Sequence, residues 1–112
     1  MAIRYRPITK PEDFAATRQK GLVFKNQFTV IFVNKKNSQI TQIGLSVGKR
    51  VGNAVIRNKV KRRLRAIFSL ITIVAGVDIL VVARLRASFA NYKELNESLL
   101  KLTKKADILE DT

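Results

Sequence analysis

The sequence predicts an α+β fold, a single-domain α-β sandwich in which helices cover one sheet. Three observations carry this. The runs "QFTVIFV" and "VDILVVA" are β-branched and aromatic, as strands are. Ile56, Val60, Leu64, Ile67 and Ile71 recur at helical spacing and define one buried helix face. Asn91 with Glu94 forms a capping-box pattern ahead of a leucine stripe. At 112 residues and 46% apolar composition, the chain suits one modest core spanning residues 1–112 and is too apolar for a disordered segment.

In chain order, Lys10 to about Arg18 reads as a short helix, with Pro11 in its first turn, Glu12 and Asp13 at its positive end and Thr9 as cap. Gly21 ends it. Leu22 to Lys25 has room for a short strand. Gln27 to Val33 is the next strand, "NKKNS" is a polar turn, and Ile40 to Val47 is expected to pair back as a hairpin. There Gly44, Ser46 and Gly48 share one side, which reads either as close packing or as an open floor for a ligand chain. Asn53 caps the long helix. Val77 to Ala83 is nearly all apolar, as expected of a strand covered on both faces, with parallel pairing possible. Leu95, Leu99 and Leu102 form the inner stripe of the last helix. The order is α-β-β-β-α-β-α.

The formal net charge is +14, and after Asp13 no acid appears until Asp78. Such a chain is built to sit on a polyanion, with nucleic acid the first candidate and an anionic membrane surface the second. Cysteine and histidine are both absent, which removes disulfides, thiol nucleophiles and the commonest general base. The acids come mostly as Glu12-Asp13, Glu94/Glu97 and Glu110-Asp111, with no carboxylate constellation of the kind a metal nuclease gathers. No catalytic or metal-ligating residue is assigned. The apolar stretch Ile67 to Ala83 is too short for a bilayer span and is broken by Gly76 and Asp78. The N-terminal segment has no apolar run of a secretory signal. The expected compartment is the cytoplasm.

"GKRVGNAVIRNKVKRRLR", Gly48 to Arg65, holds eight lysines and arginines and no acid. Arg57, Lys61 and Arg65 form one ridge bordering the apolar face, Asn58 and Arg62 a second, and Lys59 and Arg63 lie toward the other flank. Lys49 and Arg50 precede the cap. A solvated face normally mixes signs to gain favourable i,i+4 pairs, whereas like charges four apart cost a few tenths of a kcal/mol each. The arginine fork suits bidentate contact with phosphate. Neutralising ~6–10 phosphates would make binding steeply salt dependent. These arguments reach a nucleic-acid-binding domain, and the lack of a helix-turn-helix pair favours RNA mildly.

The stretch "GLSVGKRVGNAVIRNKVKRRLR" (Gly44 to Arg65), with its arginine-asparagine-basic run Arg57, Asn58, Lys59, resembles the protein subunit of bacterial ribonuclease P. "DILVVAR" (Asp78 to Arg84) and "EDF" (Glu12 to Phe14) add a second and a third, weaker match. The resemblance implies a left-handed β-α-β crossover, similar to the second domain of a small-subunit ribosomal protein, where the common crossover is right-handed. It implies a subunit of the endoribonuclease that removes the 5′ leader of precursor tRNA. The cut would be made by the catalytic RNA with its own Mg2+, with no cofactor held by protein side chains alone. Lys49, Arg50, Asn53, Asn58, Lys59 and Arg62 would meet the catalytic RNA. Phe14, Arg18, Ile31, Arg57, Lys61 and Arg65 would form the leader-binding cleft or its rim. The implied partners are the catalytic RNA and precursor tRNA, and no membrane.

The chain departs from the family pattern at two places. Arg18 stands where a second aromatic often follows the one matching Phe14. The sheet aromatic of the cleft aligns to Ile31, or to Phe32 if one gap is moved, and that choice changes which face the residue occupies. Phe14 reads equally as core. A ribosomal or other structural RNA-binding protein and an autonomous nuclease are the competing functional readings.

Overall fold

Val77–Ala83 (β5) is the strand around which the sheet is built. Its apolar run fits that position, because a central strand is covered on both faces and paired on both edges. The computed structural model describes residues 5–110. Asp111 and residues 1–4 of the N-terminal segment lie outside them. The other elements are β1 (Arg6–Pro7), α1 (Pro11–Lys20), β2 (Leu22–Lys25), β3 (Thr29–Lys35), β4 (Gln42–Ser46), α2 (Ala54–Ser69) and α3 (Tyr92–Lys105). Two 3-10 turns, Lys49–Val51 and Leu85–Ser88, flank α2 and β5 in sequence.

The five strands lie in the order β1-β4-β5-β3-β2. β5 runs antiparallel to β3, from Thr29 opposite Ala83 to Lys35 opposite Val77. It runs parallel to β4, from Gln42 opposite Asp78 to Ser46 opposite Val82. The β4-α2-β5 segment is thus a parallel crossover unit. The expected β3-β4 hairpin does not form, because β5 lies between the two strands. A polar loop between two half-apolar strands reads locally as a hairpin turn, and nothing local announces a strand inserted from further along the chain. The two-residue strand β1, parallel to β4, was also unforeseen. It contains Pro7, as an edge strand can.

The β3-β4 loop therefore bridges the start of β5, and its anchors follow from that path. Lys36 N–H donates to the Gly76 carbonyl (2.8 Å), and Thr41 Oγ1 donates to the Val74 carbonyl (2.7 Å). Gly76 has φ +79°, and a Cβ there would stand 2.3 Å from the Ser38 carbonyl oxygen. Glycine is required on both counts. Buried Asp78 meets the Lys36 ammonium at 3.0 Å and accepts from Gln42 Nε2 at 3.2 Å. Lys36 also reaches Asp13 on α1 at 3.7 Å. The hydrogen bond to Asp78 is the main reason the lysine's pKa is raised, against a smaller opposing effect of desolvation.

Helices cover both faces of the sheet. α2 and α3 contribute Val60, Leu64, Ile67, Leu95, Leu99 and Leu102 to one core with Ile31, Val33, Ile79 and Val81. α1 packs on the opposite face against β3 and β5. The caps follow the sequence reading at two helices. Asn53 Oδ1 accepts from Ile56 N–H at 3.0 Å, and Asn91 and Glu94 form the complete capping box. At α1 the cap position is Lys10 rather than Thr9, with no side-chain bond. Ile71 is buried but lies just beyond α2, and Ile56 at its first turn is 37% exposed.

Candidate nucleic-acid interface

Because Val60, Leu64 and Ile67 turn α2 into the core, its remaining positions must project outward or sideways. Asn58, Lys59, Arg62 and Arg65 are exposed, and Arg57, Lys61 and Arg63 are half-buried. Lys49 and Arg50 are exposed on the 3-10 turn ahead of the helix, which is pinned by buried Val51. Asn53 is exposed, with Oδ1 committed to the cap.

Arg63 departs from the rest. Its Nη1 donates to the Ala90 carbonyl at 2.8 Å, so this cation ties α2 to the turn before α3. Among the described residues both ion pairs belong to Lys36, and no acid pairs with a cation of α2. Arg57 Nε is buried without a hydrogen-bond partner among the described residues. An unpaired buried donor on a charged group is costly.

A groove of about 740 Å³ runs between the β1-β4 edge of the sheet and the C-terminal half of α2. Phe14, Ile43, Gly44 and Leu45 form its apolar lining, and Arg6, Lys61 and Arg65 supply cations. A second groove of about 540 Å³ opens on the other side of Phe14, over Ser46 and Leu80, and includes Arg18. Phe14 is shared by both. A Cβ on Gly44 would come within 2.9 Å of the Phe14 ring, so this glycine lets the ring settle on the sheet. Gly48 has open space at the same place, and half-buried Ser46 lines the second groove. Along this side the packing is close at Gly44 and the surface is open at Gly48, just beyond β4.

The structure brings Phe14, Lys61 and Arg65 to one groove and places Arg18 in the adjoining one. Arg57 lines neither. Ile31 is fully buried in the core beneath α2 and α3, so it cannot line a cleft, and its place in the leader-site set is corrected. Its neighbour Phe32 faces the α1 side, with the Arg18 guanidinium carbon 5.4 Å from the ring centroid. That is cation–π distance. Lys49, Arg50, Asn53, Asn58, Lys59 and Arg62 line neither groove and stand exposed.

Sequence reasoning missed the N-terminal wall of the first groove: Tyr5, Arg6, Pro7 and Ile8. The segment shows no periodicity, because its strand is two residues long. Tyr5 anchors it. The Tyr5 hydroxyl donates to the Ile71 carbonyl and accepts from Ile73 N–H at 2.8 Å. Burial pushes the phenol pKa up, partly opposed by the bond from Ile73 and reinforced by Glu110. Among the described residues no group of three or more acids could hold a metal ion. No described helix is long and apolar enough to cross a membrane.

Comparison with known proteins agrees with this arrangement. A family model described as Ribonuclease P matches residues 3–107. The ribonuclease P protein component of Oceanobacillus iheyensis is 40% identical over 115 residues, covering all of this chain and 94% of that protein. The Clostridioides difficile protein component is 33% identical over 108 residues, covering 94% of this chain and 95% of its relative. The solved RNase P protein of Staphylococcus aureus superposes with a TM-score of 0.85 at 32% identity, covering 96% of this chain and all of that one. With the match running through the basic helix, the crossover and both walls of the groove, the chain belongs to the ribonuclease P protein family.

Proposed function

We propose that this protein binds the catalytic RNA of ribonuclease P through the outward cations of α2 and holds the 5′ leader of precursor tRNA in the Phe14 groove. One observation carries the reading: a helix face dense in arginine and lysine, with no acidic partner among the described residues, borders a largely apolar groove of about 740 Å³. Lys49, Arg50, Asn58, Lys59 and Arg62 contact phosphates and sugars of the catalytic RNA, with Asn53 positioning them as the helix cap. Lys61 and Arg65, joined by Arg6, take leader phosphates, while Phe14 offers a ring edge or face to a base. Arg57, half-buried one turn before Lys61, extends that ridge and takes a further leader phosphate. Arg18 is already committed to Phe32, and from there it can add a phosphate contact.

The protein contributes binding and orientation, which act on rate by fixing the scissile phosphate relative to the RNA. Hydrolysis is assigned to the RNA, where Mg2+ would supply the metal chemistry. The protein works as one RNA-binding domain in the cytoplasm, away from membranes.

The test is cleavage of precursor tRNA by protein alone, catalytic RNA alone and the two together at low magnesium. Cutting by the reconstituted pair well above RNA alone, with none by protein alone, is the expected result. Cutting by RNA-free protein would reassign the chemistry to the polypeptide.

A further inference from the structure

Of the six phenylalanines, five are buried or half-buried, and Phe89 is 81% exposed. An isolated surface aromatic needs no explanation, but this one is held outward by an unusually well-anchored turn. Ala87 and Ala90 on either side are buried at 0% and 3%. Arg84 N–H donates to the Phe28 carbonyl at 2.8 Å and Arg84 Nη1 to the Asn26 carbonyl at 2.9 Å. Phe89 N–H closes on the Arg86 carbonyl at 3.1 Å, and Arg63 of α2 grips the Ala90 carbonyl. Leu85, 57% exposed, lies on the same turn.

The surroundings are cationic. The turn Leu85–Ser88 packs against the turn Lys49–Val51 and against α2. Lys49 and Arg50 are exposed on the first, Arg86 on the second, and Lys93 in the first turn of α3. The nearest acid in sequence, Glu94, is committed to the α3 capping box. An exposed ring on an anchored turn, amid cations that pair with no acid among the described residues, fits an unpaired nucleobase with its phosphates, since every base offers a π-face and stacking tolerates any sequence. A protein surface seeking this apolar spot would have to bring acids to the surrounding cations.

We propose that Phe89 is a stacking platform for an unpaired nucleobase of the catalytic RNA, placed beside the Lys49–Arg50 turn and locked to the basic helix by Arg63. The proposal rests on the RNA-binding reading above and extends it to a site away from both grooves.

The chain has no tryptophan, so Phe89→Trp introduces a single fluorophore at the platform. Phe89→Ala, Phe89→Leu and Phe89→Trp are titrated with ribonuclease P RNA beside wild type and Arg62→Ala, all checked for unchanged thermal unfolding. Expected are a loss of affinity of at least about fivefold for Phe89→Ala and Phe89→Leu, near wild-type affinity for Phe89→Trp, and quenching of its emission on saturation with RNA. The leucine variant separates stacking from general apolar contact. Wild-type binding by Phe89→Ala, or Phe89→Trp emission unmoved by saturating RNA, overturns the platform while leaving RNA binding intact. So does concentration-dependent dimerisation of wild type that Phe89→Ala abolishes, which would assign the patch to a second copy. If wild type itself shows no affinity for the RNA, the broader reading falls with it.

Discussion

Lys61 and Arg65 stand one helical turn apart on α2, where each clears the core stripe yet still bends toward the Phe14 groove. Their neighbours Asn58 and Arg62 lie further round and miss it. A difference in helix angle is therefore enough to divide these cations between the groove and the exposed face of α2. Arg65→Ala is expected to weaken affinity for leader-bearing precursor more than for mature tRNA, by about tenfold if a charge-assisted phosphate contact is lost. Equilibrium binding of the holoenzyme to both RNAs measures this, and an equal loss for the two would remove Arg65 from the leader site. The same angular logic accounts for Ile31. Strand residues alternate faces, so Ile31 belongs to the core and Phe32 to the α1 side. Which of the two faces outward depends on strand pairing, not on residue type.

At the scale of elements, the decisive feature is the loop that carries the chain from β3 over the entry of β5 to β4. Its path needs Gly76 in a left-handed conformation directly under the Ser38 carbonyl, and it places Lys36 over Asp78. Gly76→Ala is expected to destabilise the fold by more than about 1 kcal/mol, through both backbone strain and a clash with main chain. Urea unfolding should show this as a lower midpoint with the slope kept. A neutral result would mean that the loop is free to lift off β5. This arrangement also places β4 beside α2 and beside the N-terminal strand, and so makes the groove. Had β3 and β4 paired directly, the Gly44 side of β4 and the Lys61-Arg65 ridge would not share a cavity.

For the whole molecule, net charge and its internal pairing set the response to solution conditions. Lys36 joins α1, the β3-β4 loop and β5, and its pKa is raised. The stability it contributes is therefore complete below the ordinary lysine value of ~10.4 and fades as pH rises through the higher folded value. Tyr5 has a raised pKa for a different cause, burial, and its contribution is likewise complete below the ordinary phenol value of ~10 and fades as pH rises toward the higher folded value. Stability should stay level through about pH 9 and fall above about pH 10, with a shallower fall in Lys36→Met. Chemical denaturation across that range is the measurement, and an identical alkaline limb in the variant would remove Lys36 from the linkage. In the opposite sense, +14 net charge opposes compaction but favours any complex with RNA.

Much of this protein was legible in its residues. The Asn53 and Asn91 caps, the buried stripes of α2 and α3 and the doubly covered β5 are local patterns, set by backbone hydrogen-bonding needs and by the 3.6- and 2-residue periods. The cation count of the basic helix needs no tertiary information either. Hidden from local pattern were the insertion of β5 between β3 and β4, the two-residue strand β1 with its groove wall at Tyr5 and Arg6, the internal use of Arg63, and the choice of Ile31 over Phe32 for the core. Each of these depends on which distant segment lies alongside. Residue identity and spacing determined that this chain would fold as strands under helices and present a cationic face to a polyanion; which cations share a groove with Phe14 was decided only when strand order closed the sheet, because proximity between elements far apart in sequence is set by packing and not by period.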